Sequence, residues 1–136
     1  MKADIKEKWL AALRSGDYKK GTGKLQREYM DNDSTEYCCL GVLCDIAVKE
    51  GVEVPFRKKE LETRAIVFYG VEETPDYLPK KVADWAGIEG SNPAYKDPKL
   101  RGHTSPGLGE PRYLTLHNDE PGTTFEQIAD LIEKYF

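Results

Sequence analysis

Residues 39–50 read Cys-Leu-Gly-Val-Leu-Cys-Asp-Ile-Ala-Val-Lys-Glu. On a 3.6-residue period Cys39, Leu40, Val42, Leu43, Cys44, Ile46 and Ala47 leave almost no side polar, and Gly51 stops the run. A helix that is apolar nearly all round has to be buried. The spacing therefore predicts a helix at the centre of the core, with the rest of the chain wrapped around it.

Working outward, Ile5, Trp9, Ala12 and Leu13 recur at helical spacing, with Asp4 placed to cap the start and Gly16 following the end. Leu25–Tyr29 reads as a strand, and Asp31-Asn32-Asp33-Ser34 has turn chemistry, which together predict a small hairpin. Beyond the central helix, Val52–Phe56 reads as a short strand and residues 57–62 as a charged connector. Ala65-Ile66-Val67-Phe68-Tyr69 is the best strand of the chain. Leu78-Pro79 opens a short helix with Val82, Trp85 and Ala86 inward and Gly87 at its C′ position. Residues 88–112, rich in Pro and Gly, show no period and read as a long functional loop. Tyr113–Leu116 reads as a strand and His117–Gly122 as a turn. Thr123 and Glu126 read as a capping box for a terminal helix carrying Phe125, Ile128, Ala129 and Ile132 on its inner stripe. The sum is an α+β fold, with about four helices around a small, mostly antiparallel sheet.

The chain has 136 residues, enough for one domain over 1–136 that needs no disulfide or metal for stability. Its 39% apolar and 32% charged content is that of a globular protein. No run approaches the ~20 apolar residues of a membrane span, and no apolar segment follows the charged N-terminus, so neither a membrane partner nor an export signal is expected. Twenty basic against 24 acidic residues give a net charge of −4, which argues against general nucleic-acid binding. Three cysteines, two of them adjacent, give no disulfide framework and point to the reducing cytoplasm.

Several residue groups have the chemistry of sites. Cys38 or Cys39 at a helix start, with His117 as base, would suit a nucleophile, although three thiols beside the most apolar helix are better read as packing. The cysteines, His103 and His117 lack zinc spacing, so no metal is expected. Gly21-Thr22-Gly23-Lys24 resembles part of a phosphate loop without its full spacing. Glu72-Glu73 and Asp119-Glu120 read as solvated pairs, whereas Asn118-Asp119 is equally suited to a local turn and to a ligand. The loop brings Asn92, Tyr95, Lys96, Lys99, Arg101, His103 and Arg112 together with two more bases than acids. Arg57, Lys59 and Arg64 flank the best strand. This mixture suits an anionic ligand with a flat group, since guanidinium forks bind phosphate and aromatic rings offer faces.

In combination, Lys8-Trp9 through Ala12–Tyr18, Tyr37-Cys38-Cys39-Leu40-Gly41-Val42-Leu43-Cys44-Asp45, Leu78-Pro79 to Trp85, and Leu116-His117-Asn118-Asp119 to Phe125 and Ile128-Ala129-Asp130 resemble a widespread family of small phage and prophage proteins. The Cys-Cys-Leu-Gly-Val-Leu block is the most specific element of that resemblance. It implies a setting in which such proteins counter host defences, inside an infected bacterium, by binding a defence protein or by soaking up nucleotide signals. The expected function is then non-enzymatic sequestration of a cyclic-nucleotide immune signal, with no cofactor. Arg57, Arg64, Lys99 and Arg101 would hold phosphates, Tyr69, Tyr95 and His103 would stack on bases, and Asn118 and Asp119 would read a base edge. A homo-oligomer would close the pocket between subunits. The alternatives are a protein-interaction inhibitor using Asp31, Asp33 and Glu36, and a small Cys-dependent enzyme.

Overall fold

The computed structural model describes residues 1–96 and 111–136. Its elements in chain order are α1 (Ala3–Arg14), β1 (Lys19–Lys20), β2 (Gln26–Tyr29), β3 (Ser34–Tyr37), α2 (Cys39–Lys49), β4 (Phe56–Glu60), β5 (Arg64–Tyr69), α3 (Lys80–Ala86), β6 (Ala94–Lys96), β7 (Pro111–Tyr113), α4 (Leu114–Asp119) and α5 (Phe125–Tyr135). The first five strands form one sheet in the order β1-β3-β2-β5-β4, antiparallel except for the β1–β3 pair. The fold is α+β, as the sequence predicts.

The helix over 39–49 lies at the centre. Leu40, Val42, Leu43, Cys44 and Ala47 are fully buried, in one core cluster with Val67 and Tyr69 of the sheet and Trp9, Leu13 and Ile128 of α1 and α5. Trp9 Nε1 donates to the Cys39 carbonyl at 2.9 Å, tying α1 to the first turn of α2. Gly41 is required by contact rather than by dihedral angle: a Cβ there would lie 1.7 Å from the Leu25 carbonyl oxygen. The hairpin of β2 and β3 pairs Gln26 with Tyr37 and Tyr29 with Ser34, with the predicted turn between them.

Several local expectations are corrected. Residues 57–62 are not a connector: Arg57–Glu60 continue β4 in full register with β5, and of Val52–Phe56 only Phe56 belongs to a strand. An edge strand wet on both faces shows no alternation, so its pairing comes from β5 and not from its own pattern. The strand expected at Tyr113–Leu116 ends at Tyr113. Leu114 starts α4 because Leu114 and Asn118, one helical turn apart, are both fully buried. The same helix takes up His117–Asp119, read as a turn. The segment 88–112 is not wholly without strands, since Ala94–Lys96 pairs with Pro111–Tyr113. The caps also shift. The capping box of α5 is Thr124 with Gln127, and α1 begins before Asp4, with Lys2 at the N-cap position.

Among the described residues no helix is long and apolar enough to cross a membrane.

Candidate functional site

Side chains alternate along β5, so Ala65, Val67 and Tyr69 enter the core while Arg64, Ile66 and Phe68 stand on the opposite face. The ladder carries that second face across the sheet. Arg57 is opposite Phe68, and Lys59 is opposite Ile66. On the other flank Ile66 faces Arg27 and Arg64 faces Tyr29. Beyond them Glu36 lies opposite both Arg27 and Lys19. None of these side chains is buried, and neither Ile66 nor Phe68 belongs to the hydrophobic core. The helices pack on the other side, leaving this face without a helical layer among the described residues.

The open face is cationic and partly flat. It presents Lys19, Arg27, Arg57, Lys59 and Arg64 around Tyr29, Ile66 and Phe68, with Glu36 as the acid in its ladder rows. Glu36 accepts from the Tyr29 hydroxyl at 3.2 Å and pairs with Lys19 at 3.5 Å. Glu73 reaches in from the following loop to Arg57 Nε at 3.0 Å, and the Arg57 guanidinium lies over the Phe68 ring at 4.8 Å. Lys59 and Arg64 have no carboxylate partner among the described residues. Among the described residues Arg27 Nη1 reaches the Thr22 carbonyl, at 3.4 Å, and its buried Nε has no partner. Exposed ion pairs of this kind stabilise a fold by only ~0–1 kcal/mol, so their cations remain available to a ligand.

Of the predicted site residues, Arg57 and Arg64 share this face. Tyr69 does not: it is 4% exposed, points into the core, and donates its hydroxyl to Gln26 Oε1. Tyr95 is likewise packed away, its ring stacked at 4.2 Å on Tyr135 and its hydroxyl 2.7 Å from His117 Nε2. Asn118 is fully buried, with both ends of its amide engaged. Its Oδ1 accepts from the Cys39 N–H at 3.0 Å and its Nδ2 donates to the Gly21 carbonyl at 2.9 Å. Asp119 accepts from the Gly23 N–H at 3.0 Å, so the glycine turn that resembled a phosphate loop holds the chain's own carboxylate. Lys99, Arg101 and His103 lie outside the described residues. The described members of the predicted set thus divide between an open face and a buried hub.

Tyr29 and Phe68 were the missed members. Their signal was that β5 is apolar on both faces although the helices supply only one covering layer. The acidic patch proposed from Asp31, Asp33 and Glu36 is divided: Glu36 sits within the cationic face, whereas both aspartates lie in the β2–β3 turn. A cleft of about 880 Å³ lies elsewhere, between Val54, Pro55, Val71 and α3. Its Glu72 carboxylate already accepts from the Lys80 N–H at 2.6 Å. A smaller cleft of about 170 Å³ beside Cys38, Asp76 and Asp119 is bordered by groups that serve the hub.

The thiols are unsuited to nucleophilic attack. Cys38 is 4% exposed and burial pushes it up to about 11, while Cys39 and Cys44 are fully buried and raised for the same reason. At neutral pH the thiolate fraction is negligible. Iodoacetamide is therefore expected to leave the folded protein unmodified over hours and to label it once urea unfolds it; rapid labelling of one cysteine in the folded state would restore the nucleophile reading. No group of three or more His, Cys, Asp or Glu among the described residues is placed to hold a metal ion.

The model of one protein family, described as a domain of unknown function (DUF8296), matches residues 1–136. No curated protein and no solved structure matches the chain.

Proposed function

We propose a function for a chain that belongs to DUF8296, a family of domains of unknown function: it binds, without turnover, a phosphorylated molecule carrying flat bases, on the open face of its sheet. One observation carries this reading. The ladder places five cations and two aromatic rings on a face that no described helix covers, and three of the cations lack a carboxylate partner among the described residues. Phosphate oxygens are well matched to Arg57, Arg64 and Arg27, whose forks bind in two-point geometry, and bases to the faces of Tyr29 and Phe68. The absence of turnover is supported by the buried thiols and by the engagement of Glu73 with Arg57 and of Asp119 with the Gly23 N–H.

The resemblance to small phage proteins supplies a concrete form of the proposal: sequestration of a cyclic-nucleotide immune signal in the cytoplasm of an infected bacterium. A flat face covers only one side of such a ligand, whereas small-molecule sites bury most of it. In this form a second subunit supplies the opposite wall.

Calorimetric titration with a panel of cyclic mono- and dinucleotides tests the proposal. At least one should bind and be recovered intact after heat denaturation. The double variant Arg57→Glu, Arg64→Glu should bind at least about tenfold more weakly, the loss expected for even one charge-assisted hydrogen bond. No binding by any member, or equal binding by the double variant, contradicts it.

A further inference from the structure

We infer that the ligand class of the open face is a short single-stranded nucleic acid laid across the sheet; this rests on the phosphate-and-base reading above and extends it from a monomeric ligand to a polymer. Shape is the first argument. The face spans five strands, about 19 Å at ~4.8 Å per strand spacing. No wall on it is formed by a described helix. Such a surface suits an extended ligand better than an enclosed one.

The second argument is the spacing of the rings. Tyr29 is directly opposite Arg64, and Phe68 lies four residues further along β5. The two rings are therefore separated by roughly 13 Å along the strands and ~5 Å across them. One base cannot touch both. Two unstacked bases of one strand with a nucleotide between them can, and the Arg57 guanidinium layered on Phe68 adds a second flat surface for stacking. Between the rings lie Ile66, Arg27 and Lys59, an apolar floor with a cation on either side.

The third argument is charge. A chain at −4 cannot coat nucleic acid, but local potential and not net charge decides a short track. The acids near the face limit its extent: Asp31 and Asp33 occupy the β2–β3 turn, and Glu62 the adjoining β4–β5 turn, whose Thr63 carbonyl accepts from the Met30 N–H at 3.0 Å. The track therefore ends at Tyr29 and runs obliquely, ~13 Å along β5 between the rings and ~10 Å across from β4 to β2. It has room for about four nucleotides, the lower end of the ~4–16 that sheet-based single-strand binders engage. Bases held flat on rings must be unstacked from a duplex, so duplex is disfavoured.

Fluorescence anisotropy tests this with labelled oligothymidylate and oligouridylate of two, four and eight nucleotides, a hairpin duplex, and an unlabelled cyclic dinucleotide as competitor. Affinity should rise at least about tenfold from two to four nucleotides, and the duplex should bind more weakly than the four-nucleotide strand. With about three phosphates contacted, the slope of log affinity against log salt should be near −2. Phe68→Ala and Tyr29→Ala should each weaken binding roughly five- to a hundredfold, the range for one stacked base. Both rings lie outside the core, so folding, checked by circular dichroism, should persist. Lys59→Glu with Arg64→Glu gives the same test if either ring variant fails to fold. If four and eight nucleotides bind no tighter than two or than the cyclic dinucleotide, while Arg57→Glu still weakens that binding, the polymer inference is overturned and the function reading stands. If no ligand of any length binds, both fall.

Discussion

Gly41→Ala is expected to leave the protein without a cooperative folded state, or with most of its stability lost. The added Cβ would sit 1.7 Å from the Leu25 carbonyl oxygen and 2.6 Å from its carbon. Those atoms cannot move aside as a flexible side chain would. The same carbonyl accepts from the Cys38 N–H at 3.2 Å, and the Leu25 N–H donates to the Pro75 carbonyl at 2.8 Å, so the segment is held from both directions. Overpacking of a core by side-chain atoms typically costs ~1–3 kcal/mol. A clash with fixed backbone lies above that range, and domains of this size have only ~5–15 kcal/mol in total. Gly16→Ala is the control: its φ of +80° disfavours a side chain, but nothing stands within 4 Å, and the expected cost is ~1–2 kcal/mol. Urea unfolding followed by tryptophan fluorescence separates the two, and a Gly41→Ala midpoint equal to that of the parent would contradict the close approach of α2 to Leu25.

The second large effect belongs to Asn118. Its one amide satisfies the Cys39 N–H and the Gly21 carbonyl, joining α4, the start of α2 and the turn before β2. Asn118→Leu keeps the approximate volume and removes both partners. A buried polar group left unsatisfied costs ~1–3 kcal/mol, so the loss should be about 2–5 kcal/mol in urea unfolding. Asn118→Asp distinguishes hydrogen bonding from shape. An ionised carboxylate in this buried place, beside Asp119, is destabilising, and burial holds its folded pKa above the unfolded value. Stability should then be lost as pH rises through that folded pKa and regained as pH falls. The Asp variant should accordingly unfold at a higher urea midpoint at pH 5 than at pH 7 when each is compared with the parent. Equal differences at the two pH values would contradict a buried, dry Asn118.

These two positions show why the fold was more legible than the site. The run from Cys39 to Ala47, the stripe Phe125, Ile128, Ala129 and Ile132, and the strand at 65–69 each carry their period in a few consecutive residues, and the structure has all three. Arg57–Glu60 has no such period, because an edge strand borrows its order from the neighbour it pairs with. Tyr113–Leu116 reads as a strand because Tyr and Thr favour strands, and the burial of Leu114 and Asn118 one helical turn apart outweighs that preference.

In the site, Arg57 and Arg64 were legible because charge flanking an apolar strand is visible locally. Phe68 and Tyr29 were not, since their meaning depends on which face of β5 the helices cover and on ladder partners far away in sequence, 35 residues for Tyr29 opposite Arg64. Asn118 and Tyr95 misled in the opposite sense. Polar side chains in apparent loops look available to a ligand, but their partners, Cys39, Gly21 and His117, came from distant parts of the chain and used up the same groups.

The ligand is expected on the open face of the sheet and not at the buried hub. Methyl chemical shifts of Ile66, the one isoleucine in the ladder of that face, report on it directly against Ile128 and Ile132 of the core. On titration with a four-nucleotide oligothymidylate, or with the cyclic dinucleotide that binds best, the Ile66 methyl and Phe68 ring signals should move progressively to saturation while those of Ile128 and Ile132 stay in place. Saturable shifts centred on Tyr95, His117 and Asp119, with Ile66 and Phe68 unmoved, would contradict it.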